Sequence, residues 1–112
     1  MKKIEALIRP SVFDKVKKAL TDMGVHGMNY TEIRGFGRQH GHTVVYRATT
    51  RRVDFLPKVR IEVVCADGSA DNIIDAIIGA ARTGHVGDGK IFVSNVLESI
   101  RIRTGERGEE AV

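Results

Sequence analysis

Two glycine-rich stretches carry the residue types best suited to chemistry in this chain of 112 residues: Gly35-Phe-Gly-Arg-Gln39 and Thr83-Gly-His-Val-Gly-Asp-Gly-Lys90. Successive backbone N–H groups in tight glycine turns form nests that bind anions. Glycine lets the backbone come close to a phosphate, and Arg38 and Lys90 add positive charge. A third basic element, Arg101-Ile-Arg-Thr-Gly105, sets Arg101 and Arg103 at alternate positions, which share a face if the segment is extended. Together the three point to a polyphosphate site. It is not a Walker A loop, because no Gly-Lys-Ser/Thr opens a helix. Either glycine stretch alone also reads as plain architecture, with Gly84 as a helix stop and Asp88-Gly89 as a turn. The coincidence of both stretches with the paired arginines favours a ligand.

Other chemistry is poorly supported. The four histidines, His26, His40, His42 and His85, fall in turns and glycine-rich segments. His40-Gly-His42 offers two ligands where a structural metal site wants four. No Ser/His/Asp or Cys/His arrangement is legible, so no catalytic residue is assigned and no enzyme is expected. The single cysteine, Cys65, excludes an internal disulfide and reads as a core residue within Ile61-Glu-Val-Val-Cys-Ala66. Arg34-Gly-Phe-Gly37 matches the first four positions of an RNA-recognition signature, but Arg38, Gln39 and Gly41 then replace its aromatic, valine and aromatic. Base stacking needs such rings, and no nucleic-acid partner is expected.

These residues must be positioned by a fold, which the hydrophobic pattern indicates. Ile4, Ala6 and Ile8 alternate as in a strand. Pro10-Ser11 opens a helix with Ser11 as N-cap, carried by Val12, Phe13, Val16, Ala19, Leu20 and Met23 and stopped at Gly24. Met28 to Arg34 reads as a second strand. The pattern then repeats: Lys3-Ile-Glu-Ala returns as Arg60-Ile-Glu-Val. Val59 to Ala66 is a third strand, and Asp67-Gly68-Ser69 turns into a helix with Ile73, Ile74, Ile77, Ile78 and Ala81 on its stripe. Gly84 ends that helix, and Ile91 to Leu97 forms a fourth strand. The order βαββαβ predicts an α+β, ferredoxin-like sandwich in a single domain, residues 1–112. Residues of both parities in the last strand are apolar, as are Val63 and Val64. A sheet apolar on both faces with helices for only one predicts a homo-oligomer.

Roughly 20 residues between the second and third strands show no clear element, where a hairpin normally needs 2–5. The same region is basic. From position 38 to 60 it holds Arg38, Arg47, Arg51, Arg52, Lys58 and Arg60 against one acid, Asp54, in a chain of net charge +4. No apolar run approaches the roughly 20 residues of a membrane span, and the first residues lack a signal-peptide pattern. A cytoplasmic location is expected.

Four blocks, in order, resemble the PII signal-transduction proteins of nitrogen regulation: Gly35-Phe-Gly-Arg-Gln-His-Gly-His-Thr43, Val53-Asp-Phe-Leu-Pro-Lys-Val59, Thr83-Gly-His-Val-Gly-Asp-Gly-Lys-Ile-Phe-Val93 and Arg101-Ile-Arg-Thr-Gly-Glu106. The resemblance covers essentially the whole chain. It implies a homotrimer with nucleotide sites between neighbouring subunits, where ATP and ADP compete. The implied nucleotide-binding residues are Gly35, Gly37, Arg38, Gln39, Val64, Gly87, Asp88, Gly89, Lys90, Arg101 and Arg103, the last two reaching in from the adjacent subunit. Gln39 would ligate Mg²⁺ on the ATP phosphates. 2-Oxoglutarate would complete that metal's shell, with Gln39, Lys58 and Gly87 around it. The long segment, about 37–55, would be the T-loop that docks onto ammonium channels, metabolic enzymes or regulators. Arg47 and Tyr46 would be its partner-binding residues, and a transporter partner would recruit the protein to the membrane. The glycine-rich phosphate loop is set at about 83–90 and a C-terminal loop at about 101–109.

The chain also departs from that pattern. Many bacterial members carry a uridylylated tyrosine at position 51, where Arg51 stands here beside Arg52, so this modification is not expected. Thr49 stands where some cyanobacterial members have a phosphorylatable serine, which makes it a candidate modification site. Asn29 replaces a threonine common near the adenine. A paralogue sensing adenylates alone is the main alternative, and retention of Gln39 and Lys58 speaks against it.

Overall fold

The computed structural model describes residues 1–36, 42–46, 49–53 and 55–112, the second and third of these ranges at the level of the backbone. Its elements run β1 (Lys2–Ile8), α1 (Phe13–Asp22), β2 (Met28–Gly35), β3 (His42–Tyr46), β4 (Thr49–Val53), β5 (Leu56–Cys65), α2 (Ala70–Ala81) and β6 (Lys90–Asn95). The main sheet has the order β2-β5-β1-β6, and all its neighbours are antiparallel. Both helices pack on one face. This is the ferredoxin-like βαββαβ sandwich.

The core follows from the two periods. On the helix side Ile4, Ala6 and Ile8 of β1 alternate inward, as do Val59, Ile61, Val63 and Cys65 of β5. Register pairs Ile4 with Val63, Ala6 with Ile61 and Ile8 with Val59, so these side chains meet across the strands. Val16 and Leu20 of α1 and Ala70, Ile73, Ile77 and Ala81 of α2 close over them at helical spacing. Cys65 is buried among these residues. Phe13 packs against Tyr30 of the edge strand β2 in a tilted contact, with ring centroids 4.9 Å apart.

Several local expectations are corrected. Ser11 does not cap α1. Pro10–Val12 is a 3₁₀ turn, and Val12 takes the cap position with no side-chain bond. Proline fixes φ and suits such a first turn, so the α-helix starts two residues after Ser11. Gly24 does close α1, with φ 86° and its N–H on the Thr21 carbonyl at 3.0 Å. Helix α2 ends at Ala81, where Arg82 turns extended, ahead of Gly84. Strand β5 starts at Leu56 rather than Val59, and β6 spans Lys90–Asn95 rather than reaching Leu97. Pro57 is tolerated because β5 there pairs with β2 alone, beyond the end of β1.

The open face is less apolar than expected. It carries Leu7, Val64 and Phe92, but also Lys3, Glu5, Lys58, Arg60 and Glu62. Lys3 Nζ lies 3.8 Å from Glu5 and 3.7 Å from Glu62, and Arg60 Nε 3.3 Å from Glu62. Crosswise pairing of opposite charges spreads them over the two central strands. The long connection is corrected too. Its His42–Tyr46 and Thr49–Val53 form a two-stranded hairpin, pairing His42 with Val53 and Tyr46 with Thr49. Thr43-Val-Val-Tyr46 and Thr49-Thr50 are β-formers; interleaved arginines hide the alternation.

No helix among the described residues is long and apolar enough to cross a membrane. Leu20 is fully buried between the helices and the sheet, whereas Ile102 is wholly exposed in the isolated chain. Leu20→Ala is expected to cost about 2–5 kcal/mol, read as a shift in the urea midpoint, with a change at the exposed Lys15 of α1, Lys15→Ala, as a folded comparison. A Leu20→Ala cost near zero would mean that α1 does not close the core.

Candidate functional site

The glycine-rich loop between α2 and β6 is built around one carboxylate. Asp88 Oδ2 accepts the backbone N–H of Thr83 at 2.8 Å and of Gly84 at 2.9 Å. Its Oδ1 accepts the Thr83 hydroxyl and, at 3.4 Å, Nε of Arg9. Arg9 also donates through Nη2 to the Val86 carbonyl at 2.6 Å. Arg9 sits just past the end of β1, so these bonds tie the loop to the sheet. The Thr83 and Gly84 bonds, with Arg9, hold the Asp88 carboxyl far below the usual carboxylate range.

Within this frame Gly84, Gly87 and Gly89 all have left-handed backbone, with φ of 87°, 102° and 105°. Gly89 is the most constrained. A Cβ there would lie 1.7 Å from the Leu7 carbonyl oxygen, which excludes any side chain. The turn is thus pressed onto the end of β1. Lys58, on β5, reaches the same turn and donates from Nζ to the Gly87 carbonyl at 2.8 Å. Burial, then the neighbouring Arg9 charge, pushes the Lys58 ammonium below its ordinary value, and Asp88 opposes this.

The structure therefore brings Gly35, Lys58, Gly87, Asp88 and Gly89 together. Gly35 ends β2, and a Cβ on it would touch Lys58 Cγ at 3.4 Å. Lys90 opens β6, exposed and paired with Leu7. Val64 lies on the same sheet face as Lys58 but six residues along β5, about 20 Å away. Arg101 and Arg103 do not alternate along an extended segment: residues 102–104 are a turn in a C-terminal hairpin bridged at Ile100 and Arg107. Gly105, whose N–H reaches the Arg101 carbonyl at 2.7 Å, closes that turn. Arg101 pairs with Glu106 at 3.0 Å and donates to the Glu110 carbonyl at 2.9 Å, while Arg103 is exposed. Gly37, Arg38, Gln39 and Arg47 lie outside the described residues. Tyr46 and Thr49 close the β3–β4 pairing, and their side chains lie outside the description.

Two contributors were missed in the sequence reading, Arg9 and Thr83. Asp88, grouped there with the nucleotide contacts, directs its carboxylate into its own loop. The available signal was a threonine five residues before an aspartate flanked by glycines, the spacing of a loop that folds back on its own N–H groups.

A family profile described as "Nitrogen regulatory protein P-II" matches residues 1–106. Relatives named "Nitrogen regulatory protein P-II" are similar over the full length of both chains. They include those of Rhizobium meliloti (strain 1021) at 60% identity, Rhodobacter capsulatus at 57% and Haemophilus influenzae at 57%.

Because the Asp88 pKa is depressed in the fold, its contribution is present above the ordinary carboxylate range, near pH 4. It is lost only as pH falls well below that range. The amides of Thr83 and Gly84 should stay protected through the ordinary carboxylate range near pH 4 and lose protection only well below it. Asp88→Asn should deprotect both amides already at neutral pH. Protection unchanged in that variant would remove Asp88 as the loop's strut.

Proposed function

The chain belongs to the nitrogen regulatory protein P-II family, whose members are named as regulators and not enzymes, and on that premise we propose that it is a homotrimeric sensor of adenylates and 2-oxoglutarate. ATP and ADP compete for the glycine-rich turn at 84–89, and 2-oxoglutarate binds beside it with Mg-ATP. The observation that carries this reading is the bond from Lys58 Nζ to the Gly87 carbonyl, which sets a cation against an anion-accepting turn. It lies at the start of β5, beside Gly35 at the end of β2, so the effector site sits where the long connection leaves and rejoins the sheet.

The described residues fit a polyphosphate. Left-handed glycines let backbone approach the anion, and the one acid in the turn points its oxygens into the loop. No cluster of three or more His, Cys, Asp or Glu that could hold a metal occurs among the described residues. On this reading Mg²⁺ would be held through phosphate oxygens with Gln39. Bound there, the ion supplies the positive charge that lets a triphosphate and a dicarboxylate sit side by side.

Exposed apolar groups support the trimer. Leu97 and Ile102 are almost fully exposed, and Val93 and Phe92 about half, in a single chain. A cleft of about 350 Å³ lined by Leu7, Ile74, Ile78, Ile91 and Val93 runs between α2 and the edge strand β6. Neighbouring copies would cover these surfaces and bring Arg101 and Arg103 to the next subunit's nucleotide. The long connection that contains β3, Arg47 and β4 is the output element toward an ammonium channel, metabolic enzyme or regulator. With Arg51 in place of a phenol, that output is set by ligands and not by uridylylation at position 51.

Calorimetry tests this. ATP is expected to bind alone, and 2-oxoglutarate only with both ATP and Mg²⁺. Gln39→Ala should weaken 2-oxoglutarate by more than tenfold and ATP by much less, because the glycine turn keeps its amides. Binding of 2-oxoglutarate without ATP, equal loss of both ligands, or a monomeric mass in solution would each overturn the reading.

A further inference from the structure

Two phenylalanines flank the long connection. Phe36 follows the last residue of β2 and Phe55 precedes the first residue of β5. Gly35 and Leu56 are the last pair in the β2–β5 register, so Phe36 and Phe55 stand at the next rung. Their ring centroids are 5.7 Å apart with an interplanar angle of 48°, a tilted contact of the favourable kind. Yet they are 63% and 56% exposed and lie outside the core cluster. Exposed aromatics that pair with each other and not with the core need another reason for their placement.

We propose that Phe36 and Phe55 form an aromatic clasp that positions the effector site, an inference that rests on the ligand reading above. Phe36 is joined directly to Gly37, and Gly37, Arg38 and Gln39 are the proposed phosphate and metal contacts. Phe55 lies three residues before Lys58 on the strand that delivers the lysine to Gly87. The clasp thus fixes the separation of the two strands at the point where one supplies the metal ligand and the other the cation. A Cβ on Gly35 would lie 3.4 Å from Lys58 Cγ, so the lysine stem runs alongside the end of β2. Nothing else in the strand pairing reaches that rung, because β1 ends against Val59. The rings touch neither phosphate nor metal in this scheme; they are positioning residues that act through the backbone.

The contact is exposed and modest, so it corresponds to a factor of about three to tenfold in affinity. The experiment is a double-mutant cycle on the full-length protein, with Phe36→Leu, Phe55→Leu and the pair. Calorimetry gives the affinity for ATP with Mg²⁺ and for 2-oxoglutarate with Mg-ATP. Leucine keeps apolar bulk but removes the ring pair. Each single variant should weaken 2-oxoglutarate about three- to tenfold and ATP less, and the double variant should be no worse than either single. Phe55→Tyr should restore wild-type affinity. Additive effects, or unchanged 2-oxoglutarate affinity in variants of wild-type mass, would overturn the clasp. Loss of the oligomer in the single variants would also overturn it, by showing that the rings are subunit contacts. Wild-type protein that binds neither ligand would instead remove the underlying reading.

Discussion

The carboxylate of Asp88 is the interaction on which the site depends. Three left-handed glycines in six residues leave the segment 84–89 with little conformational preference of its own. Bonds from Thr83, Gly84 and Arg9 to one side chain give it a fixed shape and a fixed place against β1. The strut also settles the electrostatics. An acid inside a turn proposed to bind an anion would repel that ligand if its oxygens faced outward; here they accept donors from the loop itself and from Arg9. Lys58 then completes the arrangement from the neighbouring strand, held by a carbonyl whose position the same strut determines.

The sheet imposes the second constraint. Two βαβ units put both helices on one side, leaving the opposite face to be managed by its own chemistry. Lys3, Glu5, Arg60 and Glu62 on the two central strands offset one another there, while Leu7, Val64 and Phe92 keep it partly apolar. A face of that mixture suits contact between copies better than it suits a core. On the proposed reading it also carries the elongated ligand, since Lys58 and Val64 share that face and lie far apart along one strand.

How much of this was legible varies with the physics involved. The core strands and helix stripes could be read because burial enforces periods of 2 and 3.6, and the four strands and two helices of the βαββαβ frame fall where those periods predict, with shifted ends. Helix starts were read less well. Ser11 has the chemistry of a cap, but Pro10 commits the chain to a 3₁₀ turn first. The β3–β4 hairpin escaped because a two-stranded ribbon buries little and so imposes no alternation. The glycine-rich stretch 83–90 stood out by composition, and Gly87 and Gly89 do take the left-handed backbone that a tight turn requires. The inward aim of Asp88 was not legible, because a sequence gives residue types in a loop and not the direction of their side chains. The C-terminal arginines show the same limit: their spacing implied an extended face, and the turn at 102–104 separates them.

The proposed signalling mechanism is constrained by where the cation sits. A ligand can shift the hairpin only by as much as it binds one arrangement of the hairpin's base better than another. In such a scheme the carboxylate of an effector would be an added, charged acceptor for Lys58, beside the Gly87 carbonyl that it bonds in the free chain. A charge-assisted bond is stronger than a neutral one, so on the proposed reading effector binding would change the energy of the strand that leads to the hairpin. A covalent group added at the tip would act on the output directly. With Arg51 in place of the tyrosine that carries such a group in many members, the proposed reading generates the difference at the base and passes it outward through β2 and β5. On that reading the rigidity of the last rungs of this strand pair sets how strongly the ligands are felt.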